Sequence, residues 1–262
     1  MPEEELHRPF PLEHSTTAIH DTTFVIVDLE TTGEDHATSA ITEIGAVKIR
    51  NGQVIAEMTT MVNPHQTIPA EIVTLTGITD DMVATAQPIS TILPTFLHFA
   101  KDTVLVAHNA DFDLGFLTTA AHNNHIAWPN QPAICTVRLG RRLLSQDEAP
   151  TMGLAALTKT LGLTSVPTHR ALDDARTTAE LLNTLTARAT AIGLTTPADL
   201  YRYYTTDTAV EPTAPDSDAN AADRTWNTVR QQPEHAARNK EEARRWSFSS
   251  NPNCDTHLRS LR

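Results

Sequence analysis

Apolar positions along the chain follow two different periods. The run FVIVDLETTG, residues 24–33, is apolar for four residues, then sets Asp28 and Glu30 with one residue between them and breaks at Gly33. A short continuous apolar run that ends at a glycine reads as a strand buried on both faces. Side chains at i and i+2 of a strand share a face, so both carboxylates point the same way at the strand's end. ITEIGAVKIRNGQVIAEMTTMV gives two further strand-like runs, 41–50 and 53–62, parted by Asn51-Gly52. Asn-Gly between such runs is a strong hairpin signal. In NPHQTIPAEIVTLTGIT, Pro69 suits the first turn of a short helix and Gly77 its end. A helix over 86–99 leads into the short strand of TVLVAHNA. DFDLGFLTTAA then carries Phe112, Phe116, Leu117 and Ala120 at helical spacing, and 151–162 and 170–192 also read as helices. Strands first and helices interleaved afterwards predict an α/β fold, a mixed sheet covered by helices.

The same patterning divides the chain. Residues 1–20 lack a period and read as a flexible arm, and 21–204 form one domain. From 205 to 262 the chain reads as a low-complexity linker and tail, largely disordered. TTDTAVEPTAPDSDANAAD has almost no large apolar side chain to offset the entropy of ordering. Between Arg224 and Arg262 eight Lys or Arg face four Asp or Glu, with Trp226, Trp246 and Phe248 among them. A short helix fits 234–246, in a solvated tail or in a segment contacting a partner or nucleic acid.

Composition narrows the classes. A length of 262 residues is ample for a sizeable core. The net charge of −12 weighs against a broad basic surface gripping duplex DNA, but not against an enzyme that takes one strand end. Two cysteines, Cys135 and Cys254, make neither a disulfide framework nor a thiolate metal site. No apolar run reaches membrane-spanning length, and the acidic start lacks the order of a secretion signal, so a cytoplasmic protein with no membrane partner is expected.

Two later segments supply the company that Asp28 and Glu30 need. In VLVAHNADFDLGFL, Asp111 and Asp113 lie at the start of a helix, where an acid is favoured as a cap. Both cannot cap equally well. If the helix starts at Asp111, Asp113 is free for another task, and His108 and Asn109 tie the connection by hydrogen bonds. In PTHRALDDARTTAELLNTLTARA, Asp173 and Asp174 are about 100 degrees apart around a helix. Asp174 lies beside Ala171 and Ala175 on the packing side, and a buried acid needs a partner. Asp28, Glu30, Asp113 and Asp174 together offer oxygen donors suited to Mg²⁺ or Mn²⁺. His169, five residues before Asp174, is the candidate base, since imidazole ordinarily titrates near ~6.5.

VDLETTG, HNADFD and HRALDD resemble, in order, the three motifs of the DEDDh 3′–5′ exonuclease family, the DnaQ-like group that includes the proofreading epsilon subunit of bacterial DNA polymerase III. The segment around NPHQTIPAEIVTLTGIT is similar as well, and the likeness spans about 22–190. It implies a ribonuclease H-like fold, five strands with helices on both sides. It implies Asp28, Glu30, Asp113 and Asp174 as ligands of two divalent cations, Mg²⁺ or Mn²⁺, and His169 as general base. Leu29, Thr31 and Thr32 fall where the family holds the terminal nucleotide, with His108, Asn109 and Phe112 as further substrate-side candidates. The implied substrate is a nucleic-acid 3′ end, single-stranded and most readily DNA, with nucleoside 5′-monophosphates as product. An RNA or short-oligonucleotide exonuclease of the same fold is the alternative, and a DNA polymerase subunit is a candidate partner. A metal phosphatase or nucleotide pyrophosphatase would not require this order of motifs. A binding module without catalysis would be expected to have lost one of the five residues.

Overall fold

The computed structural model describes residues 16–129 and 131–205. Residues 1–15, the segment 206–262 and with it the helix expected over 234–246 lie outside the described residues. Five strands, β1 (Thr23–Thr31), β2 (Ile41–Arg50), β3 (Gln53–Met61), β4 (Val104–Ala107) and β5 (Ala133–Cys135), form one sheet in the order β3-β2-β1-β4-β5. β1 pairs antiparallel with β2 and parallel with β4; β2–β3 is antiparallel and β4–β5 parallel. β1 is therefore flanked on both edges and covered on both faces, which accounts for its unbroken apolar run. At the hairpin tip Asn51 and Gly52 both have positive φ, 50° and 70°, as the expected turn requires.

Alternate residues of each strand serve two cores. Phe24 and Ile26 of β1, Val47 and Ile49 of β2, and Val104 and Val106 of β4 pack with Ile134, Leu139, Leu181, Leu182 and Leu185. On the opposite face Val25, Val27, Leu29, Ile44, Ala46 and Leu105 meet Leu93, Phe96, Phe116 and Leu117. The first face is covered by α5 (Thr136–Leu143), α6 (Leu154–Leu161), the long α7 (Ala171–Ala191) and α8 (Pro197–Thr205). The second is covered by α3 (Ile89–Phe99) and α4 (Ala110–Asn123). The short helices α1 (Ala70–Thr76) and α2 (Asp80–Val83) precede them. This mixed five-stranded sheet with helices on both sides is the ribonuclease H-like architecture that the motifs imply. Among the described residues, no helix is long and apolar enough to cross a membrane.

Several expected boundaries move for local reasons. The helix expected over 86–99 begins only at Ile89, because Pro88 holds an extended N-cap (ψ 160°) and bridges to Asn63. The one expected over 151–162 starts at Leu154, after Gly153 in extended conformation. Pro69 is the N-cap of α1, one position earlier than expected, while Gly77 ends it in the left-handed region. The arm assigned to 1–20 needs correction over its last residues: Ile19–Asp21 is a turn of 3₁₀ helix, the Ile19 amide donates to Thr195 O at 2.8 Å, and Ile19 packs on the first core. One isoleucine among small and polar neighbours makes no period, yet it is enough to anchor a turn.

The approach of α7 to β2 depends on one missing side chain. A Cβ on Gly45 would lie 2.1 Å from the carbonyl carbon of Ala171 and 2.2 Å from Leu172 N. Both are backbone atoms in the first turn of α7 and cannot yield locally. Gly45→Ala is therefore expected to displace that turn and to destabilise the protein by about 1–3 kcal/mol, read as a lower Tm in thermal unfolding. An unchanged Tm would mean that the helix end is not seated as described.

Candidate active site

β1 and β4 are parallel, so their C-terminal ends lie at one edge of the sheet, where chain reversals gather functional side chains. Asp28 and Glu30 continue the Phe24, Ile26 series, on the face that α7 covers. Register shifts just past Glu30, where Glu30 faces Glu43 but Thr31 faces Ile41, so Thr42 is an extra residue on β2. From β4 the chain turns through Asn109, itself in the left-handed region (φ 68°, ψ 57°), into α4. Asp113, in the first turn of α4, is buried at 2% exposure, whereas Asp111 turns outward to an ion pair with Arg138. The helix starts at Ala110, and neither acid serves as its N-cap.

α7 delivers the third part. Asp174 is buried in its first turn and accepts the Thr168 amide at 2.8 Å. Asp173 faces away, paired with Arg176 at 3.2 Å and accepting the Thr168 hydroxyl. His169 lies just before the helix, half-buried, with φ 57°. A non-glycine residue held there carries strain on the order of 1–2 kcal/mol, a state that persists where surroundings over-determine it. One ligand atom each of Glu30, His169 and Asp174 lies within 4.8 Å of the others.

The electrostatics of this cluster are unfavourable by themselves. Burial pushes Asp28 well above the ordinary carboxylate range, and the neighbouring Asp113, Asp174, Glu30 and Glu43 push it further. Glu30 is raised by burial and then by Asp174, Glu43 and Asp113, with Arg170 offsetting part of the effect. Asp174 is raised by burial despite the Thr168 hydrogen bond and His169, which act the other way. A hard divalent cation supplies the charge that such a set of oxygens lacks, so the residues present fit Mg²⁺ or Mn²⁺.

The remaining sequence candidates surround the acids. Leu29 is buried in the second core. The Thr31 hydroxyl donates to Gly33 O at 2.6 Å, and the Thr32 hydroxyl accepts from Ala40 N at 3.0 Å and from Gln66 Nε2. Both hydroxyls thus close the loop that follows β1. His108 is engaged within the protein at both ring nitrogens, Nδ1 with Thr136 Oγ1 at 2.9 Å and Nε2 with Met152 O at 2.7 Å. Phe112 meets Phe116 edge to face, 4.9 Å between centroids.

Three residues here carry no expectation from the sequence. Glu43, 3% exposed, accepts the Arg170 guanidinium twice, at 2.8 and 3.0 Å, and the Ala171 amide at 3.0 Å. Gly45 lies on the same face two residues later. The signal was an acid and a glycine inside the apolar run ITEIGAV, two positions apart and so on one strand face.

Comparison with known proteins bears on this edge of the sheet. The family profile RNase_T, described as Exonuclease, matches residues 25–182. A Mycobacterium tuberculosis (strain CDC 1551 / Oshkosh) protein named as a bifunctional exonuclease/endonuclease is 53% identical over 192 residues, covering 71% of this chain and 30% of that protein. A PolC-type DNA polymerase III of Thermotoga maritima is 39% identical over 176 residues, 67% of this chain and 13% of the polymerase. The chain thus spans under a third of the length of these relatives. Among solved structures, Exonuclease X in complex with 5′ overhanging duplex DNA has 29% identity and a TM-score of 0.53, covering 68% of this chain and 98% of that one. E. coli Exonuclease I with a dT13 oligonucleotide shares the fold, with a TM-score of 0.57 at 18% identity over 66% of this chain and 42% of its own.

Proposed function

The chain belongs to the exonuclease family, and from that premise we propose that it hydrolyses nucleic acid from the 3′ end, releasing nucleoside 5′-monophosphates with the help of two divalent cations. The observation that carries this reading is the convergence of Glu30, His169 and Asp174 within 4.8 Å, beside Asp28 and Asp113, at the end of the central strand. Asp28, Glu30, Asp113 and Asp174 are assigned as the ligands. Bound there, Mg²⁺ or Mn²⁺ offsets charge on the phosphodiester and its leaving oxygen.

The protein's own groups do the rest. His169 accepts a proton from the attacking water. The water oxygen bonds to phosphorus as the bond from phosphorus to the 3′ oxygen breaks, and that oxygen, once protonated, becomes the new 3′-hydroxyl. Thr31, whose hydroxyl donates within the loop, and Thr32, whose hydroxyl accepts there, are assigned to meet the terminal nucleotide beside Leu29. Phe112 offers a ring for the base, and Asn109 and His108 fix the turn that carries it. The domain is assigned to 21–204 with Ile19 as its anchor, and residues 205–262 lie outside the catalytic unit.

DNA is the favoured substrate on the strength of the relatives: Exonuclease X is seen with duplex DNA, and the PolC-type proteins are DNA polymerases. Those polymerases also support a polymerase subunit as the candidate partner, and a cytoplasmic site of action goes with that reading. The test uses 5′-labelled single-stranded DNA, duplex DNA and RNA in parallel with Mg²⁺ or Mn²⁺. A ladder shortening from the 3′ end, with 5′-monophosphates released and DNA consumed faster than RNA, is expected. Digestion of a strand whose 3′ end is blocked, or release of 3′-phosphates, overturns the polarity, and faster loss of RNA overturns the substrate.

A further inference from the structure

Glu43 is the acid of this site that the catalytic set leaves unused. It stands directly across the β1–β2 ladder from Glu30, buried to 3% exposure. Its two oxygens are already occupied. Oε2 accepts Arg170 Nε and the Ala171 amide, each at 3.0 Å, and Oε1 accepts Arg170 Nη2 at 2.8 Å. A carboxylate engaged in this way is a poor ligand for a further cation but a rigid mount, because a bidentate guanidinium pair fixes direction as well as distance.

What it mounts lies one residue away. α7 has no side-chain cap of its own at Arg170, and Glu43 takes the role from the sheet by accepting the amide of the helix's first residue. Asp174 has a second source of order, since α7 runs for 21 residues and is held along its length by Leu181, Leu182 and Leu185 in the first core. His169 lacks such a run of core contacts and is tied locally, its own backbone amide bonding the Asp174 carboxylate. It sits ahead of the helix at φ 57°, between Thr168, whose amide is tied to Asp174, and Arg170, tied to Glu43. Those two ties bracket the strained residue and hold it in a conformation it would otherwise leave.

We propose that the Glu43–Arg170 pair is a positioning device for His169, not part of the metal site. This inference rests on His169 being the base. It predicts that loss of the pair acts through the histidine alone. Glu43→Gln keeps the shape of the side chain but can no longer accept from the whole guanidinium fork. In the full chain its kcat should fall by roughly 10-fold or more, with KM for a short oligonucleotide and calorimetric Mn²⁺ affinity within about 3-fold of the parent. Arg170→Lys, which keeps the positive charge beside Glu30 and Glu43 but loses the bidentate fork, should give the same split.

A double-mutant cycle decides the matter. In a His169→Asn background the Glu43→Gln change should cost less than about 2-fold in kcat, because the group it serves is already gone. A multiplicative loss in the double variant overturns the proposal, as does a fall in Mn²⁺ affinity as large as that of Asp174→Ala, which would make Glu43 a ligand. The reading beneath it fails separately: if His169→Asn alone cleaves at the parent rate, the base assignment falls and the positioning role with it.

Discussion

Stripping divalent cations with EDTA is expected to abolish cleavage, and restoring Mg²⁺ or Mn²⁺ to recover it. The reason lies in the protein before any substrate arrives. Asp28, Glu30 and Asp174 are held above the ordinary carboxylate range, first by burial, and next by the charge of Asp113 for Asp28 and of Asp174 for Glu30. Without cations the native protein retains protons that the unfolded chain gives up near pH ~4. The unfolded state then binds fewer protons, so stability is greatest below that pH and falls as pH rises through the raised native values. Cations bind the ionised form and reverse the loss. At about 100 times its dissociation constant a bound ion adds roughly 2.7 kcal/mol, some 5–10 °C in Tm for a domain of this size. Thermal unfolding with EDTA and with saturating Mn²⁺ should therefore give a gap in Tm that widens from about pH 5 to about pH 8. Asp113→Ala and Asp174→Ala should each close much of that gap and lose cleavage together with Mn²⁺ binding. Cleavage that persists after metal is stripped, or a gap that does not depend on pH, would contradict the assignment.

How far this site could be read from the sequence differs from residue to residue. Asp28 and Glu30 were legible because strand period alone puts them on one face, near the end of a strand that stops at Thr31, two residues short of Gly33. Asp174 was legible against Asp173 because helical rotation lets only one of them pack, and the structure buries Asp174 while Asp173 pairs with Arg176. The choice between Asp111 and Asp113 was harder. Both suit a helix start, and burial decides it, with Arg138 on α5 drawing Asp111 outward.

Other features depended on partners distant in sequence. Glu43 and Arg170 are 127 residues apart, and no local rule joins a strand acid to a helix-start arginine. β5, at three residues, is too short to show a period, and its pairing with β4 is set by the sheet. Its outer edge is closed from α8, where Tyr204 Oη takes the Cys135 amide at 3.4 Å and donates to Ala133 O at 3.1 Å. α8 itself follows from apolar and tyrosine positions whose partners lie on α5 and β5.

Removing the imidazole of His169 is expected to lower turnover by something like 10²-fold or more while leaving Mn²⁺ affinity nearly intact. The separation follows from the proposed roles, in which the acids would hold the cations and the histidine would take the proton of water. The choice of variant matters because φ at this residue is 57°. Alanine would inherit the strain of the left-handed region, whereas asparagine tolerates it and glycine relieves it. His169→Asn and His169→Gly should therefore fold at least as well as the parent and still be slow, so that slowness cannot be blamed on unfolding. Hydroxide replaces the lost base as its concentration rises, and the deficit should shrink between about pH 7 and about pH 9. Single-turnover cleavage across that range at saturating Mn²⁺, with calorimetric titration of Mn²⁺ beside it, reads both quantities. A variant that loses Mn²⁺ as completely as Asp174→Ala would make His169 a ligand, a role its place within 4.8 Å of Glu30 and Asp174 permits geometrically. A rate equal to that of the parent would make it structural. Only slow turnover with metal retained, and a deficit that fades with pH, fits a base held in strain at the mouth of α7.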